Sequence, residues 1–141
     1  MAGEVVIQDG ASGWVSVGSV SLTADVAGQV SASTIASLMV ATEASYPQFD
    51  IQLNVTGGSP TENQRVQVHF RMKADGVNES PAPGGSFQPH FVGNVILDNA
   101  LGYYYEEGLR VKDKLGTLYL KTATAITVSV SIRMRSHNAA V

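Results

Sequence analysis

Ile126-Thr127-Val128-Ser129-Val130-Ser131-Ile132-Arg133-Met134-Arg135 alternates apolar and polar residues without an error. Successive side chains of a strand point to opposite faces, so this stretch reads as a strand with one dry face and one wet face. Phe49, Ile51, Leu53 and Val55 alternate in the same way with Gln48, Asp50, Gln52 and Asn54, and Val66, Val68, Phe70 and Met72 with Arg65, Gln67, His69, Arg71 and Lys73. Three such runs set the class as antiparallel all-β.

The rest of the chain fits that class. Glu4 to Gln8 and Trp14 to Val17 read as two short strands separated by a turn, Asp9-Gly10-Ala11-Ser12-Gly13, and the second alternation continues through Gly18 to Asp25. Gly28 to Ala44 fits both periods; its Ser/Thr-rich flanks favour a strand. Asp75-Gly76 is a turn, and the prolines of Asn78 to Pro89 make a long surface loop. Strands follow over Phe91 to Asp98, around Tyr103-Tyr104-Tyr105, and over Leu115 to Lys121, with Ala123-Thr124 short enough for a hairpin. The count of about eight to ten strands predicts a single antiparallel two-sheet β-sandwich over residues 1–141. A jelly-roll-like arrangement is preferred over an immunoglobulin-like one, because several loops are long. Residues 1–8 are expected to form an N-terminal arm and 136–141 a C-terminal tail packed against a neighbouring subunit.

Composition limits the functions open to such a sandwich. Only 15% of the 141 residues are charged, against roughly 25% in ordinary soluble domains. Ser, Thr, Asn, Gln and Gly fill the wet positions, and such faces cost little to desolvate when another surface covers them. A net charge of −3 argues against a nucleic-acid partner, which needs clustered Lys and Arg. The chain has no cysteine, hence no disulfide or thiolate metal site. No apolar stretch is long enough to span a membrane, and Met1-Ala2-Gly3-Glu4 does not open a signal peptide, so a soluble protein made in the cytoplasm is expected.

Residues that could carry chemistry are few. His69, His90 and His137 read as surface histidines, with no nucleophile elbow to serve them. Asp50, Asp98 and Asp113 read as outer-face or strand-end acids, and Glu106-Glu107 as solvated neighbours rather than a hydrolytic pair. Asp75 to Glu79 lacks a full calcium-loop pattern, and no zinc-ligand spacing occurs. Asn54-Val55-Thr56 and Asn78-Glu79-Ser80 match the glycosylation pattern; with no signal peptide expected, they are read as chance matches. No catalytic residue, metal or cofactor is therefore expected, and the chain is read as a non-enzyme.

Recognition is the remaining option. Tyr103-Tyr104-Tyr105 puts rings on both faces of an extended segment, one of which should be buried. Trp14 reads as a core or half-buried anchor first and as a ligand platform second. Arg65, Arg71 and Lys73 on one strand and Arg133 and Arg135 on another would form a basic stripe if those strands are neighbours; solvated charges that discourage edge pairing are the alternative. With Val5 and Ile7 of the arm and Phe87 of the long loop, these residues are the candidate interaction surface.

Gly93-Asn94-Val95-Ile96-Leu97-Asp98, Tyr103 to Val111, Leu115 to Thr122 and the Ser/Thr-rich final strand resemble small β-sandwich virion proteins of tailed bacteriophages. The likeness covers about the C-terminal third. It implies a structural protein that decorates and cements a capsid by bridging capsomers, as a homo-oligomer, most simply a trimer, bound to the major capsid protein. The arm, Met1 to Gln8, or the loop, Asn78 to Pro89, would then reach the capsid. Two alternatives stay open: a tail or fibre component, and a carbohydrate-binding module whose platform is Trp14 or the tyrosine cluster beside Asp98 and Asn99.

Overall fold

The computed structural model describes residues 5–30, 48–72, 77–78, 80–81, 91–110 and 116–139. These residues form eight strands and no helix: β1 (Val5–Leu22), β2 (Gly28–Gln29), β3 (Gln48–Gly58), β4 (Arg65–Met72), β5 (Phe91–Ile96), β6 (Gly102–Arg110), β7 (Gly116–Thr122) and β8 (Ile126–Ala139). Two four-stranded antiparallel sheets result, in the orders β1-β8-β3-β6 and β2-β7-β4-β5. The pairings β1 with β8, β2 with β7, β3 with β6 and β4 with β5 are nested. That nesting describes one long ribbon, its apex between β4 and β5, rolled so that β3 also pairs with β8 and β4 with β7. The protein is a jelly roll.

The dry parity of each strand makes the core. Ile51 opposes Ile132, Leu53 opposes Val130 and Val55 opposes Val128 in the first sheet. Val68 opposes Leu120 and Phe70 opposes Leu118 in the second. All ten side chains are buried in one cluster between the sheets. Gly93 of β5 sits against the side chain of Leu109 of β6, where a Cβ would collide with it. This lets the edge strands of the two sheets approach closely.

Several sequence expectations need correction. The turn expected at Asp9 to Gly13 does not divide β1, which runs on to Leu22. Asp9 opposes Arg135 and Trp14 opposes Arg133, so five steps along β1 cover two along β8, and the surplus residues are absorbed as a bulge with Gly13 at φ 61°. Residues 5–8 of the expected arm and 136–139 of the expected tail pair with each other in the β1–β8 ladder. Ala123-Thr124 is not a hairpin, because β7 and β8 belong to different sheets and the short link crosses between them. Length alone does not separate a tight hairpin from a tight arch. The fifth strand ends at Ile96, short of Asp98. Of Gly28 to Ala44, only Gly28–Gln29 is described as strand, and residues 31–44 lie outside the described residues, as do Asp75-Gly76 and most of the Asn78 to Pro89 loop.

Candidate interaction face

The wet parity of the first sheet builds a surface in successive rows across β1, β8, β3 and β6. One row holds Trp14, Arg133 and Asp50, with Asp9, Arg135, Gln48 and Arg110 in the row beyond it. Asp50 is fully buried although it points away from the core. Arg133 covers it, donating from Nε at 2.9 Å and Nη2 at 2.7 Å to Oδ2. The other carboxylate oxygen accepts from the Gly108 amide at 3.0 Å. That amide is available because β6 bulges there. Phe49 opposes Leu109 and Ile51 opposes Glu106, so Glu107 and Gly108 together face Asp50, with Gly108 at φ 71°. The Arg133 guanidinium in turn lies 4.7 Å from the centre of the Trp14 ring. Tyr105 closes the stack edge-on, its ring centroid 5.9 Å from that of Trp14 at 71°.

The next rows carry hydroxyls and carboxamides. Ser16, Ser131, Gln52 and Tyr105 share one row, and Gln52 Nε2 donates to the Tyr105 hydroxyl at 2.9 Å. Ser19, Ser129, Asn54 and Tyr103 share another, with the two serine oxygens 3.0 Å apart. Ser21 and Thr127 follow, 3.2 Å apart. Over these rows the face carries no formal charge, and the Asp50–Arg133 pair beside them is neutralised within itself; Glu107 and Arg110 are exposed further along β6. Trp14, Tyr103 and Tyr105 remain exposed.

The tyrosine triplet thus divides between faces. Tyr104 points inward, packs against the core and donates its hydroxyl to the Ala100 and Asp98 carbonyls. It braces the β5–β6 connection and is no platform for a ligand. Tyr103 and Tyr105 stand on the wet face of the first sheet.

The expected basic stripe does not form. β4 lies in the second sheet and β8 in the first, so their wet faces are on opposite sides of the sandwich. Arg133 is committed to Asp50 and Trp14. Arg71 is held by the Ser80 carbonyl at 2.6 Å and the Tyr119 hydroxyl at 3.1 Å, and Tyr119 donates to Gln29. Arg65 is exposed. Val5, Ile7 and Arg135 are placed only as ladder positions in β1 and β8, while Lys73 and Phe87 lie outside the described residues. His69 is not a surface residue: it is fully buried beside Gln67 and edge-on to Phe91, with a 5.7 Å centroid separation. Its neighbours Thr117, Tyr119 and Lys121 are buried too. The outer face of the second sheet is covered at these positions, which strand parity alone does not reveal.

Two further features complete the surface. Phe91, Ile96 and Leu101, on β5 and the link to β6, are about half exposed at 47%, 47% and 56%. A polar cleft of about 460 Å³ opens beside the β3–β4 and β7–β8 links, where Asp25 and Glu62 face Arg65 and Lys121. It holds no nucleophile with a base, and among the described residues no trio of His, Asp or Glu is arranged to hold a metal. Comparison of the chain with protein-family models, with curated proteins and with solved structures finds no match.

Proposed function

We propose that the chain is a non-catalytic structural protein that acts by covering surface, most concretely a capsid-decoration protein of a tailed phage that works as a homo-oligomer, a trimer in the simplest case, on the major capsid protein. The observation that carries this reading is the flank formed by Phe91, Ile96 and Leu101. Three large apolar side chains stand about half exposed on β5 and its link to β6, grouped more closely along the chain than the exposed Val26 and Val77 elsewhere. Apolar surface gathered on one side marks a site of association. The jelly roll is compatible with this role but also with many others, so the fold itself is no argument. The weakly charged hydroxyl rows also suit coverage by another surface.

The test has two arms. Light scattering at several concentrations should give a closed oligomer, and Leu101→Asp should shift the mass to that of the monomer with the fold intact. Purified protein should then sediment with capsids in a saturable manner. A monomer at every concentration, together with no binding to particles, rejects the proposal.

A further inference from the structure

We propose that the wet face of the first sheet is a binding site for a neutral oligosaccharide, with Trp14 and Tyr105 as the stacking end and the rows behind them as the hydrogen-bonding bed. This goes beyond the assembly reading and does not depend on it.

The chemistry of the face selects the ligand. A pyranose has an apolar C–H face and a rim of hydroxyls that both donate and accept. Exposed aromatic rings serve the first and amphoteric side chains the second. Ser16, Ser131 and Gln52 offer hydroxyl and carboxamide groups spaced by the strand separation of roughly 4.8 Å, and Asn54 follows two residues along β3. A sugar chain lying across the strands therefore meets a donor or acceptor at each step. Along these rows themselves a ligand meets no charged side chain: the adjacent guanidinium is engaged by Asp50, and Arg110 and Arg135 are ladder positions one row further from the hydroxyl bed. An uncharged ligand therefore fits the rows.

The aromatic end is also built rather than accidental. Two bulges on the two edge strands converge on a single row: the one in β1 ends at Trp14, and the one in β6 aims the Gly108 amide at Asp50. Bulges re-aim side chains, and they gather next to functional sites. Here they produce a buried carboxylate, a guanidinium fixed on it, and an indole laid over the guanidinium. Rings held by such support lose little freedom on binding.

Affinity electrophoresis of the whole protein in gels containing dextran, mannan, galactomannan or mixed-linkage β-glucan tests the site, with alginate as the charged control. The expected result is retardation by at least one neutral polysaccharide. Tyr105→Ala and Ser129→Arg should each weaken it by roughly tenfold or more, as for a central contact residue, while both variants stay folded by circular dichroism. Both leave the Asp50–Arg133 pair in place. Ile96→Asp, on β5 of the second sheet, should bind as the wild type does. No retardation by any neutral polysaccharide overturns the proposal, as does retardation that both variants retain. Loss of the oligomer in Ser129→Arg, with no sugar binding in the wild type, assigns the face to a second copy of the chain and equally overturns it.

Discussion

Replacing Arg133 with leucine asks how much the Trp14–Arg133–Asp50 row of the first sheet holds together. Asp50 is fully exposed to the loss: its carboxylate has no accessible surface, and the substitution removes two charge-assisted donors at 2.9 and 2.7 Å. Breaking a buried pair from one side costs about 3–5 kcal/mol, because a charge stays behind without its partner. The Arg133 side chain is 22% exposed and so already partly hydrated in the fold, which puts the expected loss at the lower end, about 3 kcal/mol. The contact with Trp14 is lost as well and lies within that figure. Urea unfolding at fixed protein concentration reads the change, since assembly would otherwise shift apparent stability. In a melting experiment the same loss corresponds to about 6–12 °C for a chain of this size. The double variant, with Asp50→Leu added, removes both charges and should recover most of the loss. A cost below about 1 kcal/mol for Arg133→Leu would refute the reasoning. So would a double variant as damaged as the sum of the two singles, because the pair would then carry no coupling.

Two other substitutions isolate neighbouring parts of the argument. Gly108→Ala forces a side chain into a left-handed conformation at φ 71° and should cost about 1–2 kcal/mol in urea unfolding, whereas Gly108→Asn should cost less because asparagine tolerates that region; equal losses would mean the backbone conformation is not what glycine supplies. Tyr104→Phe removes the hydroxyl that ties β6 to the Ala100 and Asp98 carbonyls and should cost about 1 kcal/mol, while leaving retardation by polysaccharide gels unchanged, since that ring faces inward.

The fold was legible in the sequence wherever a strand has one dry face. Phe49 to Val55, Val66 to Phe70 and Ile126 to Ile132 show their parity in the chain and keep it in the sandwich. What parity cannot show is whether a wet face is covered. His69 and Asp50 both occupy wet positions and both are fully buried, one beneath the packing on the second sheet and the other beneath Arg133. The link at Ala123-Thr124 is legible as short but not as a crossing between sheets, because strand order depends on pairings far apart in the chain. Of the candidate surface, Tyr103 and Tyr105 stand where a recognition role requires them, and Tyr104 does not. Asp50, an outer-face acid by parity, and Gly108 show their role only in the fold for the same reason. A lone acid between Phe49 and Ile51, and a lone arginine between Ile132 and Met134, become meaningful only when register places them side by side.

That register also explains why a charge pair sits beside the uncharged rows. A regular ladder through β1 would carry no surplus residues between Asp9 and Trp14, and the indole would fall on another row or on the other side of the sheet, since a slip by one residue reverses every side chain. A regular β6 would likewise direct its amides along the ladder and leave the Asp50 carboxylate short of a donor. Each irregularity weakens its own edge strand. Their coincidence on one row yields something neither supplies alone, a carboxylate satisfied on both oxygens and an aromatic ring seated above it. A row needed only for packing would be met more cheaply by apolar residues, which often match or exceed a buried ion pair in stability. The arrangement therefore favours placement of Trp14 and Tyr105 over stability, and the comparison that separates the two is direct. The Asp50→Leu, Arg133→Leu double variant should fold about as well as the wild type while binding neutral polysaccharide more weakly, because the indole has lost the plane that fixes it.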